Sequence, residues 1–233
     1  MCLAIVIAAA GCGGGAGSSL PAGAEDVSLD PAEFTTTIDN PYWPMAPGNR
    51  WVFRETDGEG GVQRVAVTVT DRTTTIMGIE ARVVHDVVSK GSETVEDTYD
   101  WYAQDADGNV WYLGEDTKEY ENGKVASREG SWRGGVDGAK PGIIVPAHPE
   151  PGLSYREEYY AGHAEDAAQV LTSAARAKVP YGVFDGMLQT RNTSPLEPDV
   201  VEEKLYARGI GPVLTIAVSG GAGREELVDF DGG

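Results

Sequence analysis

The sequence predicts an all-β protein, an antiparallel sandwich or open barrel built from two similar halves with little helix. Three observations lead to this prediction. Apolar and polar residues alternate with a period of two in many short runs bounded by Gly, Asp, Asn and Pro. The chain holds 31 glycines, a share typical of a protein with many tight turns. No segment combines a long helical period with caps at both ends.

The predicted strands follow one another along the chain with turn residues between them. The clearest alternating runs are 65–70, 83–88, 98–102, 109–113, 205–207 and 213–218. The segment 163–171 is rich in alanine and is compatible with one helical turn. We nevertheless expect a strand from about Ala168.

Short sequence segments recur about a hundred residues apart, which predicts duplication of one β unit. The matched segments are 47–51 with 151–155, 68–70 with 170–172, 101–103 with 205–207, and Val110 with Val213. Such a period is too long for a solenoid and implies two similar halves packed on each other. The alternative is chance agreement between common strand and turn words.

This pattern divides the chain into five regions. They are a signal peptide at 1–11, a lipidated Cys12 with a flexible tether to residue 36, a first β half at 37–114, an insertion or linker at 115–147, and a second β half at 148–233. The insertion has no echo elsewhere in the chain, and it carries Asn122-Gly123, a hairpin signal. Long irregular connections are often functional, so this region is a candidate functional loop. The alternative is a hairpin followed by a linker.

The charge of the chain excludes one class of partner. The sequence has 18 basic and 37 acidic residues, giving a formal net charge of −19. A surface this acidic repels phosphate backbones, so we expect no nucleic-acid partner. An apolar fraction of 41% and five tryptophans indicate a folded chain.

The N-terminus predicts export and a lipid anchor. The apolar run 3–10 would reach about 12 Å as a helix, too short for a hydrocarbon core of about 30 Å. It is typical of the apolar region of a secretory signal, although no Lys or Arg precedes it. Ala9-Ala10-Gly11-Cys12 resembles the lipobox of bacterial lipoproteins, which implies cleavage before Cys12 and lipidation of its sulfur. We therefore expect an extracytoplasmic protein, attached to the bacterial cell membrane through this anchor.

Cysteine usage agrees with that prediction. Cys2 leaves with the signal and Cys12 is lipidated, so the folded part is expected to have no disulfide and no Cys-ligated metal. Residues 13–19 are Gly, Ser and Ala, as in a flexible tether.

Four other segments resemble segments of a group of uncharacterised secreted bacterial lipoproteins of actinobacterial type. The segments are 40–44 and 47–51 near the start of the first half, and 179–184 and 206–213 in the second. The resemblance covers most of the chain from Asn40 and implies a fold and a location. It implies no activity.

The sharpest local motif is Asp105-Ala106-Asp107-Gly108-Asn109. Oxygen ligands at alternating positions suit Ca²⁺, and Asp116 lies where an EF-hand has its closing acid. The EF-hand pattern fails at its sixth position, where Val110 replaces glycine. The motif is therefore either a hairpin-borne calcium site of Asp105, Asp107, Asn109 and Asp116, or an ordinary turn.

Aromatic and acidic residues supply the remaining candidates. Trp101, Trp111 and Trp132 are candidates for an exposed ligand-binding platform, with core packing as the alternative. Paired acids occur at 96–97, 157–158, 202–203 and 225–226. Neighbours on a strand point to opposite faces, so no pair forms a catalytic dyad by itself. We interpret these pairs as a solvated surface.

The sequence contains no nucleophile–base motif, phosphate-binding loop or dinucleotide fingerprint. The leading hypothesis is a non-catalytic, membrane-anchored lipoprotein that binds a ligand or a protein partner. The first alternative is a calcium-dependent β module, the one hypothesis that includes a cofactor. The second is a hydrolase that uses two carboxylates from different strands, which requires a cleft and a carboxylate of raised pKa.

Overall fold

The structure is a computed structural model and describes residues 20–233. It confirms the all-β prediction: one large antiparallel sheet is nearly closed into a barrel. The helical structure in this part of the chain is one 3-10 turn at Pro31–Glu33. No helix between residues 20 and 233 has the length and hydropathy needed to span a bilayer.

The strands lie in this order along the chain. They are β1 (Phe34–Thr35), β2 (Arg50–Thr56), β3 (Val62–Ile76), β4 (Ile79–Lys90), β5 (Glu93–Asp105), β6 (Val110–Glu121), β7 (Lys124–Ser127), β8 (Trp132–Arg133), β9 (Lys140–Val145), β10 (Ser154–Arg156), β11 (Glu158–Tyr159), β12 (Ala167–Val179), β13 (Gly182–Thr193), β14 (Val201–Ala207), β15 (Gly211–Ser219) and β16 (Arg224–Asp231). The strand expected from about Ala168 is confirmed, because β12 begins at Ala167.

The sheet closes through the segment 154–159, which we call the seam. The strand order is β10-β12-β13-β14-β15-β16-β2-β3-β4-β5-β6-β9-β11. The two ends of this order, β10 and β11, are successive stretches of the seam. Tyr155 pairs with Ala168 of β12, and Glu158 pairs with Pro141 of β9. One short segment therefore joins the first and last long strands of the sheet.

The two runs of strands, β2 to β9 and β10 to β16, follow the same order around the barrel. Gly48 donates a backbone hydrogen bond to Val69 O at 2.9 Å, and Gly152 donates one to Val170 O at 2.9 Å. The pairing of β5 with β6 shifts register between Trp101 and Tyr102, and that of β14 with β15 shifts between Leu205 and Tyr206. In this geometry Val69 matches Val170, one residue away from the match seen in the sequence. Common descent of the halves stays a prediction.

The region 115–147 is not the irregular insertion that the sequence predicted. β6 extends to Glu121 and pairs with β7 across the Asn122-Gly123 turn, so the hairpin signal is confirmed. β9 then pairs with β6 and belongs to the barrel wall. Its run 140–145 lacks clean alternation because most of these residues are buried.

Residues 20–36 are held against the barrel, in contrast to the flexible tether expected up to residue 36. The apolar side chains of Leu20, Val27, Leu29 and Phe34 pack against the core. Arg156 donates its backbone N–H to Pro21 O at 2.7 Å, and its guanidinium contacts Glu25 O at 2.7 Å. We call residues 20–36 the strap. The predicted signal peptide, Cys12 and the first part of the tether lie outside the described residues.

The segment 38–49 closes one end of the barrel. Its Trp43 ring lies 5.7 Å from the Tyr102 ring and 6.2 Å from the Tyr206 ring, between the two halves. Gly209 donates a hydrogen bond to Pro41 O at 2.8 Å, and the Trp51 indole donates to Ile210 O at 2.8 Å. The barrel interior therefore has an aromatic floor at this end.

We expect Gly142→Ala to destabilise the protein, because a Cβ there would overlap the backbone carbonyl groups of Arg156 and Glu157 in the seam. The strand and the seam cannot separate without breaking the sheet, so the expected loss is about 2–3 kcal/mol. Denaturant unfolding measures it. Gly182→Ala is the control, since its Cβ would meet the Phe184 ring at an ordinary 3.5 Å. A Gly142→Ala variant of wild-type stability would contradict this account of closure.

Candidate functional site

The candidate site is the interior of the barrel. Alternate residues of each strand point inward, because the side-chain period of a strand is two. A cavity of about 210 Å³ lies above the floor, and one of about 300 Å³ lies at the end where β2 ends and β16 begins. Both are lined by Val65, Asp86, Lys204, Thr215 and Glu225, so they adjoin. Their size suits a small molecule.

The floor of the deeper cavity is aromatic. Trp43, Tyr102 and Tyr206 line it together with Phe53 and Ile144. We call Trp43, Tyr102 and Tyr206 the aromatic floor. Both tyrosines are buried, whereas Trp43 is half-buried and faces the cavity.

Above the floor, the cavity walls are acidic. Five carboxyl groups line the two cavities: Glu55, Asp86, Asp100, Glu202 and Glu225. We call these five residues the acidic cluster. Glu225 lies directly opposite Glu55 in the pairing of β16 with β2. Like charges placed directly opposite each other repel and destabilise a sheet.

The basic residues of the cavity have partners outside the acidic cluster. Lys204 Nζ lies 3.6 Å from a carboxylate oxygen of Glu157, and Arg224 lies 2.8 Å from Glu226. Within residues 20–233, the salt bridges involve no carboxyl group of the acidic cluster. Among the described residues, the five carboxyl groups of the acidic cluster therefore have no salt-bridge partner.

Burial and mutual repulsion raise the pKa values of these carboxyl groups. Burial raises the pKa of Asp100 to about 7 against the hydrogen bond that Tyr112 Oη donates at 2.7 Å, and the Glu96 carboxylate contributes in the same direction. Burial and the facing Glu55 raise the pKa of Glu225 to about 7. The pKa of Asp86 lies well above its usual range, because of burial first and then the charges of Asp100 and Glu225.

Asp86 is the most unusual member of the acidic cluster. Its Oδ1 atom is inaccessible and has no hydrogen-bond partner among residues 20–233, although the side chain lines both cavities. A buried acceptor without a donor costs about 1–3 kcal/mol. The structure thus contains a vacant acceptor inside the cavity.

A further pair of buried acids lies beside the acidic cluster, near the seam. Burial and the Asp100 charge raise the pKa of Glu115 to about 9. Burial and the Asp166 charge raise the pKa of Glu158 to about 8, although Trp132 donates a hydrogen bond to Glu158 at 2.6 Å. Buried carboxyl groups with raised pKa values therefore extend around the interior from β16 to β6.

The predicted calcium ligands do not all come together. Asp105 accepts hydrogen bonds from the Asn109 backbone, the Asn109 amide and the Trp111 indole at 2.7–2.8 Å. Asn109 Oδ1 accepts one from Ala147 at 2.8 Å. Asp107 is exposed on the turn, and Asp116 pairs with Arg128 at 2.9 Å on β6. Asp105 and Asn109 thus stabilise the turn through N–H donors, and calcium binding stays a prediction.

The three candidate tryptophans are separated from one another by their packing. Trp111 is buried and meets the edge of Phe34, and Trp132 is buried edge-on against Tyr112. Trp101 is half-buried, with the Arg133 guanidinium over its ring at 5.2 Å. Trp111 also lines a cavity of about 420 Å³ together with Asp105, Asp107 and Asn109. A role of the three tryptophans in ligand binding stays a prediction.

The interpretation of the paired acids as a solvated surface is wrong for both members of the pair 157–158 and for one member of the pairs 202–203 and 225–226. Glu202 and Glu225 face the cavities, whereas Glu226 faces outward to Arg54 and Arg224. The signal was present in the sequence, because Leu227 belongs to the core and Glu225 shares its face. Sequence reasoning gave the acidic residues one common surface instead of following this alternation.

Known proteins offer few likenesses to this chain. No protein-family model matches it, and no curated protein matches it. Among solved structures, the chain is similar to a predicted lipoprotein from Parabacteroides distasonis ATCC 8503. The sequence identity is 13% and the TM-score is 0.44, over 82% of this chain and 98% of that chain.

We expect the free energy of unfolding to fall as pH rises from about 5 to about 9. The folded state keeps protons on Asp100, Glu225, Glu158 and Glu115 in this window, whereas the unfolded state has lost them, so unfolding releases protons. Each retained proton contributes about 1.4 kcal/mol per pH unit. The melting temperature should drop by at least about 5 °C across the window.

Glu115→Gln should flatten this pH dependence. The control is Glu226→Gln, because hydrogen bonds from Arg224 and Arg54 outweigh burial and hold the pKa of Glu226 below its usual value, outside the window. Thermal unfolding at several pH values makes the comparison. A melting temperature that rises from pH 5 to 9 would refute the raised pKa values.

Proposed function

We propose that this chain is a non-catalytic lipoprotein, anchored outside the cytoplasm through Cys12, that binds a small ligand in the interior of its barrel. One observation carries the proposal: an accessible cavity with an aromatic floor and five carboxyl groups that the protein leaves without salt bridges. If the interior residues served only the stability of the barrel, apolar side chains would fill this space. Ligand sites instead combine apolar walls with a few convergent polar groups.

The direction of the chain supports an anchor on the far side of the barrel from the cavity mouth. Leu20 lies beside Asp105 and Trp111, where β5 turns into β6. The larger of the two interior cavities lies at the opposite end of β5, beside Val88 and Arg224. A membrane anchor that precedes Leu20 would therefore leave the mouth open to the surrounding solution.

Cys12→Ala should release the protein from the membrane, since the thioether to the lipid requires the cysteine sulfur. We expect the wild-type chain in the membrane fraction and the variant in the soluble extracytoplasmic fraction after cell fractionation. Cys2→Ala is the matched control, because Cys2 lies within the predicted signal and should not affect anchoring. A Cys12→Ala variant that stays membrane-bound would overturn the proposed anchor.

The ligand-binding proposal is tested by native mass spectrometry of the full chain extracted from bacterial membranes. We expect a small-molecule adduct on the wild type that Thr215→Trp removes, because Thr215 lines both cavities. Val218→Trp is the control on the same strand, since Val218 is exposed. A chain without adduct, or an adduct that survives Thr215→Trp, would contradict a ligand in the interior.

A second candidate, a hydrolase that uses two carboxylates, has the support of one observation. Glu225, whose pKa is about 7, faces Glu55 across two strands inside a cleft, as an acid and its partner would. Turnover of a panel of glycosides at neutral pH, abolished by Glu225→Gln, would favour this candidate. Absence of turnover across the panel with intact ligand binding would favour the first.

A further inference from the structure

We infer that the ligand is a linear polyamine, an aliphatic chain that carries several ammonium groups, held with one end on the aromatic floor and its other nitrogens on the acidic cluster. This inference rests on the proposed function, because it names the class of molecule that the same cavity takes. Three features of the cavity support it: its five carboxyl groups, the vacant acceptor on one of them and the spacing between them.

The charge of the cavity calls for more than one positive group. Five carboxyl groups line the two adjoining cavities, and the two basic residues there, Lys204 and Arg224, are paired with Glu157 and Glu226. Charges of one sign enclosed by low-dielectric walls repel strongly, and an opposite charge among them is strongly attracted. Without a cation, protons relieve part of this repulsion, as the raised pKa values of Asp86, Asp100 and Glu225 show. A ligand with several ammonium groups would replace the protons on several of these carboxyl groups at once.

The vacant acceptor calls for an N–H or O–H donor. Asp86 Oδ1 lacks a hydrogen-bond partner among the described residues, and Asp86 lines both cavities near their junction. An ammonium group donates up to three hydrogen bonds and carries the opposite charge. Hydrogen bonds between charged groups are about twice as strong as neutral ones, so an ammonium group is the favoured donor here.

The spacing of the carboxyl groups matches a chain of amines. Asp86 and Asp100 are diagonal neighbours on the paired strands β4 and β5, a position at which side chains lie about 7 Å apart. Residues directly opposite each other on neighbouring strands, as Glu55 and Glu225, have Cβ atoms about 4.5–5.5 Å apart. These separations are similar to those between successive ammonium groups of a linear polyamine, whose methylenes would lie along Val65 and Phe53.

The floor fits the first ammonium group of such a ligand. Trp43 is half-buried at the cavity surface, with Tyr102 and Tyr206 on its two sides. An ammonium group over an indole or phenol face is attracted by the negative face of the ring. Aromatic rings without a cation would also accept an apolar end, so the floor alone does not decide the class, whereas the acidic cluster does.

Isothermal titration calorimetry of the purified full chain tests the inference, with spermidine as the probe. Two control probes are a diol of matched chain length and the matched dicarboxylate. We expect saturable binding of one spermidine per chain, and at least about tenfold weaker binding of both controls. A chain that binds the diol as well as spermidine would overturn the cation class and leave an interior ligand site in place.

A pair of neighbouring variants separates the interior from the acidic surface. Glu225→Gln and Glu226→Gln remove one carboxyl group each from the same strand, but only the first removes it from the cavity. We expect spermidine affinity to fall at least about tenfold for Glu225→Gln and to stay within twofold of wild type for Glu226→Gln. Equal losses in both variants would mean surface attraction, and would overturn the inference.

Loss of fold cannot explain the expected result for Glu225→Gln. The substitution removes the repulsion between Glu225 and Glu55, so the variant should melt at the same or a higher temperature than wild type. Trp43→Leu tests the aromatic floor, and we expect this variant to bind spermidine more weakly than wild type. The control is Trp101→Leu, because Trp101 faces outward, and we expect its spermidine affinity to be unchanged. Failure of spermidine and both control probes to bind would overturn the polyamine class, and the adduct measurement on extracted protein would still decide the proposed function.

Discussion

The barrel depends on the backbone pairing of the seam, residues 154–159, with two strands that are otherwise far apart in the sheet. Its first residues bond to β12 and its last residues bond to β9. Arg156 lies buried between them, and its Nε donates to Pro141 O at 3.0 Å while its guanidinium also contacts the strap at Glu25. Closure removes the sheet edges, and it also creates an enclosed interior that every strand must line with alternate residues.

Closure explains why the acidic residues of this chain have unequal environments. A carboxylate on the outer face costs little, because water screens it. The same residue one position along the strand lies in the cavity, where burial and the other carboxyl groups raise its pKa, as for Glu225 beside Glu226. Groups that oppose folding in this way are typical of sites where function, not stability, selects the residue. The acidic interior is therefore the part of the molecule that its own packing explains least.

The fold class could be predicted from the sequence, because period-two alternation and turn residues are local signals. The Asn122-Gly123 hairpin and the strand beginning near Ala168 follow from the same signals. The seam could not be predicted, since 154–159 is too short to show a period and pairs with residues set by the global closure. The order of the strap could not be predicted for a similar reason. The segment 20–36 continues the Gly-rich tether through Pro21, Gly23 and Pro31, and its order comes from Arg156 and from the core contacts of Val27 and Leu29.

The site could not be predicted because acidic residues have different roles on the two faces of a strand. On the outer face they are exposed to solvent, and on the inner face they line the cavity. An acid next to an acid, as at 202–203, indicates solvent exposure when the strand is considered alone. Only the register of β14 with its neighbours places Glu202 with Lys204 and Tyr206 on the inner face. The same alternation places acidic and aromatic side chains along the inner face of β14, with Tyr206 at the floor and Glu202 towards the mouth of the cavity. A ligand that enters this cavity passes the carboxyl groups before it reaches the aromatic rings. Its positive charges must therefore be distributed along its length and not only at the end that contacts the floor.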